Sequence, residues 1–241
     1  MRHLTIIFFL LLTFTTFGQK AENLFTFSYS NNGQIYDVID EFYFSQGAYL
    51  PNNDVFTYNQ SDVKFNFQYE YLTPKDYSFY CKVGYSNRYD TYTISNVQPA
   101  NGSKEQNYEN IALGVKYTIR GDHFEFSTGL EIPYFKVSTY TEKLFWNSPT
   151  QPLTDTQTLD GGSVYGLNSV YSMKVFISKT VFISTDLVFG LLYFNLGGMA
   201  YQVVDYLKPP AYTTTEPPYI ETYKKTTVSK PEFSFGLGIK L

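Results

Sequence analysis

Val63-Lys64-Phe65-Asn66-Phe67-Gln68-Tyr69-Glu70-Tyr71 alternates apolar and polar residues without a break. A period of two sends Val63, Phe65, Phe67, Tyr69 and Tyr71 to one face and Lys64, Asn66, Gln68 and Glu70 to the other. This is the signature of a two-faced β-strand. The same period returns at Asn23–Ser30, Tyr77–Arg88, Glu109–Ile119, His123–Phe135, Val164–Ser178, Thr180–Phe194 and Glu232–Leu241. With Val63–Leu72 these make eight segments. A globular strand averages about 5–6 residues. These segments instead approach the roughly 9–11 tilted residues that a β-strand needs to cross a bilayer.

The gaps between segments alternate in length. Thr73–Asp76, Arg120–Asp122 and the turn near Lys179 are short. Asn31–Asp62, Tyr89–Tyr108, Val137–Ser163 and Asn195–Pro231 are long. Short turns at one end and long loops at the other are the habit of transmembrane β-barrels.

A soluble barrel shows the same alternation with its faces exchanged, so three further observations decide between them. The first is the expectation that the apolar face carries no Asp, Glu, Lys or Arg in any of the eight segments. Seven glycines within the segments (Gly84, Gly114, Gly129, Gly166, Gly190, Gly236 and Gly238) all share the polar face. Glycine weakens a strand and needs a reason, which a crowded lumen supplies and a solvated outer surface does not. Aromatics also cluster at the segment ends: Tyr85, Tyr134, Tyr165 and Tyr193 toward the loops, and Tyr69, Tyr71, Tyr77, Tyr117 and Phe124 toward the turns. Two such girdles belong where rings meet lipid headgroups. The apolar face is therefore read as facing lipid, with Val115 and Leu187 near mid-membrane. The polar face, with Lys116 and Asp186, is read as lining the lumen.

Arg2 and His3 precede an apolar run from Ile6 to Phe17, too short for a spanning helix, with small Gly18 at its exit. That order is a secretory signal. Residues 1–18 are expected to be removed, leaving 19–241 as a single barrel domain. The chain carries net charge −4; losing Arg2 takes the mature chain to −5, which argues against a nucleic-acid partner. The one cysteine, Cys81, matches no disulfide or metal spacing.

The polar face carries a lumen charge network of Lys64, Lys82, Arg88, Lys116, Lys174 and Lys240 with Glu70, Glu125, Glu131, Asp186 and Glu232. Eight strands leave an interior just wide enough for side chains. These charges are expected to pair into a plug in preference to lining an ion path.

The eight segments, ending in Phe233-x-Phe235-x-Leu237-x-Ile239-x-Leu241, resemble the small outer-membrane barrels of Gram-negative bacteria, the OmpA-transmembrane and OmpX-like group. The resemblance covers the whole mature chain and implies an all-β, eight-stranded, antiparallel up-and-down transmembrane β-barrel. It implies an outer-membrane location, both termini in the periplasm and outer-membrane lipid as surroundings. It leaves function open, since this fold hosts adhesins, enzymes, pores and complex subunits.

Little catalytic chemistry is visible. After the signal only His123 remains, beside the Arg120-Gly121-Asp122 turn, and the loop end has no histidine to activate a nucleophile. Ser–Lys and paired-carboxylate sites need no histidine, but no motif singles one out. Asp155…Asp160-Gly161-Gly162 lacks calcium-loop spacing and reads as a polar turn. No cofactor, metal or catalytic residue is assigned.

The first long loop is the most unusual. Ile35, Val38, Ile39 and Phe42 fall at helical spacing, followed by Tyr43 and Phe44, among acids with no nearby Lys or Arg. Two readings stand. The segment folds back on the barrel mouth, or these six residues form a docking surface for a protein or glycan. The fourth loop carries Lys208-Pro209-Pro210 and Glu216-Pro217-Pro218, which favour extended polyproline segments. The reading is a non-enzymatic surface interaction module or accessory subunit, with a narrow pore and a lipid-directed enzyme as alternatives.

Overall fold

The computed structural model describes residues 21–30, 33–39, 42–43, 56–94, 100–148, 150–208 and 210–241. Residues 1–18, expected to be a secretory signal, and Phe44 lie outside these. The chain forms β1 (Glu22–Ser30), α1 (Gly33–Ile39), β2 (Phe56–Leu72), β3 (Tyr77–Ile94), β4 (Ala100–Arg120), β5 (Phe124–Val137) and β6 (Tyr140–Trp146). Then follow β7 (Leu153–Leu159), β8 (Gly162–Phe176), β9 (Val181–Tyr206), β10 (Tyr212–Thr215), β11 (Tyr219–Val228) and β12 (Glu232–Lys240).

Each of the eight alternating segments is a strand, and together they close a ring. β1, β2, β3, β4, β5, β8, β9 and β12 pair antiparallel in that order, and β12 pairs back onto β1. Thr26, for example, lies between Gln68 on one side and Gly238 on the other. Closure satisfies every edge of the ring, the condition for strands to stand in lipid.

Eight strands are not the whole sheet, and here the expected architecture is corrected. Among the described residues there are twelve, because four strands form in segments that read as loops. β3, β4 and β9 run 18, 21 and 26 residues, well past the span of a bilayer. The expected loop Tyr89–Tyr108 is therefore mostly strand. Where β5 and β8 stop, the β6–β7 hairpin takes their place between the far halves of β4 and β9. The expected Asn195–Pro231 loop is likewise the end of β9 with β10 and β11 folded back on it. Pro210 lies in the β9–β10 connection and Pro217 and Pro218 lie in the β10–β11 connection, and Pro209 is outside the described residues.

The faces fall as the alternation reads. Leu113 is 59% exposed and Ile132 65%, with Phe27, Phe79, Leu167, Phe233 and Leu237 also outside, while Lys64, Glu70, Lys116 and Lys174 are buried within. An exposed apolar belt around a closed ring with a charged interior is a transmembrane barrel. Val115 is exposed and Leu187 half-buried, flanked by Tyr171 and Phe233. Tyr85, Tyr134 and Tyr165 ring the loop end of the belt, and Tyr77, Tyr117 and Phe124 the turn end. Tyr69 departs from this pattern at 7% exposure: its ring packs on Phe25 and its hydroxyl donates to Asn23 Oδ1. Glu109 and Lys136, opposite one another in register, interrupt the outward apolar face at the loop end.

Two glycines show why the lumen demands them. A methyl on Gly114 would collide with the Tyr80 ring, and one on Gly238 with the Phe182 ring. The inward aromatics lie flat over bare backbone. At the β2–β3 turn Asp76 takes a left-handed φ of 64°, which Asp tolerates better than most residues.

Candidate functional site

The lumen is filled by ion pairs. Glu70 of β2 sits between two lysines, with Lys116 Nζ at 2.9 Å and Lys174 Nζ at 3.0 Å from its Oε2. Lys174 also reaches Glu125 at 3.7 Å. One layer nearer the loop end, Lys82 pairs with Glu131 at 2.7 Å. Tyr80 Oη and Asn168 Nδ2 also donate to Glu131. Lys64 pairs with Glu232 at 2.6 Å and lies 5.5 Å from the Phe135 ring centre. Asp186 accepts from Ser234 Oγ at 3.1 Å. Strands that are not neighbours in the ring supply the Glu70, Lys82–Glu131 and Lys64–Glu232 pairs, because inward positions of a narrow barrel face one another across its axis. Lys174–Glu125 and Ser234–Asp186 are instead cross-strand partners in register.

Two expected members sit elsewhere. Lys240 lies at the turn-end mouth, paired with Glu22 at 2.6 Å, beside Arg120, which pairs with Asp76 at 2.9 Å. Arg88 lies beyond the loop-end girdle, paired with Asp90 at 3.1 Å. Glu22, Asp90, Lys104 and Glu142 were missed, because each falls outside the segments whose apolar alternation marked them as strands. Asp90 had a signal: it is two residues from Arg88, on the same face of a strand that simply continues.

Apolar layers close both ends. Leu24, Leu72 and Phe182, with Phe176 against them, seal the turn end. At the loop end, inward residues of four ring strands (Tyr108, Phe135, Val164 and Phe194 among them) form a cluster with α1 and the turn after it. This overturns the docking-surface reading of Ile35, Val38, Ile39, Phe42 and Tyr43. Ile35, Ile39, Phe42 and Tyr43 are buried in the barrel mouth, and Val38 packs against the same cluster. Helical spacing gives α1 one apolar stripe, and the mouth offers the nearest apolar surface to bury it. Tyr43 is the latch: its hydroxyl lies 3.0 Å from the Asp160 carbonyl oxygen and 2.9 Å from that of Gly161, and accepts from the Gly197 amide. The bends it grips are the Asp160-Gly161-Gly162 turn and Gly197, whose φ is 82°.

Beyond the girdle the extended strands hold a second polar cluster. Glu142 accepts from Tyr92 Oη and, at 3.2 Å, from Tyr140 Oη, with Lys104 at 3.9 Å. Burial raises the Glu142 carboxyl, against the lowering pull of Tyr92, Lys104 and Tyr140. Burial, and then the Glu142 carboxylate, raise the hydroxyls of Tyr92 and Tyr140 far above their ordinary range.

The sign of this shift sets an expected alkaline transition. An unfolded tyrosine loses its proton near pH 10, whereas these two keep theirs in the fold. Above that pH the unfolded segment binds fewer protons, so stability falls as pH rises. Trp146, the only tryptophan, ends β6 against Tyr92 and Ala100. Its emission maximum should shift to the red above about pH 10 while the ring stays folded. Replacing Tyr92 and Tyr140 together with Phe should abolish the shift. A maximum that moves only with global unfolding would refute this account.

His123 lies at the turn-end mouth, in an open cavity of about 630 Å³ with Arg120, Glu125, Lys179 and Lys240. It is at the opposite end from the long loops. Among the described residues no three His, Cys, Asp or Glu side chains converge on a metal position. The Asp160 carboxylate accepts from the Met199 amide, and that of Asp155 from Gln202. The stretch that reads as a polar turn is one only at Asp160-Gly161-Gly162, since Asp155 lies within β7.

No family model matches the chain, and no curated protein matches it. Among solved structures it is similar to small outer-membrane barrels. Ail of Yersinia pestis, in complex with the heparin analogue sucrose octasulfate, is 11% identical with a TM-score of 0.40, covering 92% of this chain and 100% of that one. OprG of Pseudomonas aeruginosa is 12% identical, TM-score 0.44, over 92% and 95%. The outer membrane protease OmpT of Escherichia coli is 9% identical, TM-score 0.41, over 93% and 97%. The chain is an antiparallel transmembrane β-barrel, similar in form to proteins of the outer membrane.

Proposed function

We propose that this protein is a non-conducting, non-enzymatic outer-membrane barrel that serves as a surface interaction module. Residues 1–18 direct export and 19–241 form the mature barrel. Both termini and the short turns face the periplasm, and the β3–β4, β6–β7 and β9–β11 extensions project outside. The lumen contents carry this reading. Paired charges fill the interior between two apolar caps, which favours a rigid support over a conduit. The wall beyond the girdle is far longer than closure of the barrel requires. With α1 committed to the mouth, contact with a protein partner falls to exposed residues of β10 and β11, such as Tyr212 and Ile220.

Purified protein in a planar lipid bilayer should give no stepwise current. Regular single-channel steps would overturn the reading in favour of the pore. Protease added to intact cells should cut only within the extensions, for example near 208–218. Cleavage at Thr73–Asp76 or Gly121–His123 in intact cells would reverse the orientation.

A further inference from the structure

Above the Tyr43 latch the extended strands enclose a cavity of about 200 Å³ that the lumen architecture does not use. Tyr43 and Tyr140, ring centres 5.7 Å apart, close its floor. Gln157 of β7 and Gln202 of β9, opposite one another in register, line it, as do Tyr219 and Glu221 of β11.

Its chemistry narrows the ligand. No Lys, Arg or His lines the cavity, so a sulfated or phosphorylated group would find no counter-charge and would meet Glu221. Gln157, Gln202 and Glu221 among its mixed aromatic and polar lining do not suit an acyl chain. Drug-sized ligands occupy pockets of about 300–1,000 Å³, so this one admits a single small ring.

Three features then fit a pyranose. Tyr219 is 58% exposed at the rim, offering an aromatic platform for the C–H face of a sugar. Glu221 is half-buried, yet its carboxylate makes no ion pair or hydrogen bond among the described residues, so it can accept from hydroxyls. Gln202 Nε2 donates to Asp155 at 2.9 Å, which fixes that amide and orients its remaining hydrogen-bonding capacity.

We propose that this cavity is a binding site for one uncharged pyranose residue of a glycan, stacked on Tyr219 and hydrogen-bonded by Glu221, Gln157 and Gln202. The site deepens the interaction-module reading and, as a glycan receptor at the cell surface, rests on it. The binding itself is measurable without reference to orientation.

The full mature chain in a zwitterionic detergent without a sugar headgroup is titrated, by calorimetry and saturation-transfer NMR, with maltotriose, mannotriose and chitotriose. A sulfated heparin disaccharide and spermine serve as counter-probes. At least one neutral trisaccharide should bind saturably. Tyr219→Ala and Glu221→Gln should each weaken that binding at least tenfold without moving the thermal midpoint, since both positions lie at the rim. Failure of all three neutral sugars would overturn the proposal. So would tighter binding of the sulfated probe or of spermine, or equal binding by both variants. Sugar binding in detergent together with turn-end cleavage on intact cells would keep the site and reject only its placement outside.

Discussion

Glu70→Ala should destabilise the folded barrel by about 3–5 kcal/mol, the usual cost of breaking a buried ion pair by removing one partner. Glu70 is the shared counter-charge of Lys116 and Lys174, both almost fully buried. Removing it leaves two ammonium groups facing each other. The longer contact from Lys174 to Glu125 is then the one remaining ion pair among the described residues, beside a 3.5 Å hydrogen bond from Lys116 to Ser172 Oγ. The urea midpoint of refolded protein in lipid vesicles measures the effect. Adding Lys116→Met and Lys174→Met to Glu70→Leu should recover most of the loss, because apolar groups of similar volume often replace a buried ion network at little cost. A single Glu70→Ala variant within about 0.5 kcal/mol of wild type, the range of an ordinary surface substitution, would mean that water solvates the lysines. The plug account of the lumen would then fail.

Leu113→Arg should cost about 2–4 kcal/mol, as a cation does on the lipid face near the bilayer midplane. Leu113 lies between the Tyr117 level and the Tyr134 level, in register with Cys81 and Ile132, and is 59% exposed. In water such a residue would accept arginine freely, so the size of the loss tests for the membrane itself. Arginine at Thr93, exposed beyond the girdle on β3, is the control and should be nearly neutral. Equal and small effects at both positions would mean that the belt does not meet lipid.

The eight ring strands, their inward and outward faces and the three tight turns were legible along the chain, because a period of two is a local property. Lipid outside and a packed lumen inside then act on every alternate residue. The inward lysines and glutamates could be named for the same reason, though not their partners. That Glu70 serves both Lys116 and Lys174, whereas Lys64 finds Glu232, depends on strand register and on distances across the ring.

The alternation of apolar with polar residues stops where the bilayer stops. Beyond it β4, β6, β7 and β9 carry Thr, Gln, Asn and Tyr on both faces, so only cross-strand pairing reveals them as strands. The stripe Ile35, Ile39 and Phe42 was equally visible, yet a stripe states only that something must cover it. By itself, then, the sequence determined the barrel, its facing and its charged interior, since each follows from a residue and its immediate neighbours. The tertiary structure alone decided that α1 caps the mouth, that the far strands build a second wall and that the charges pair as they do. Those outcomes depend on which surfaces meet when the ring closes.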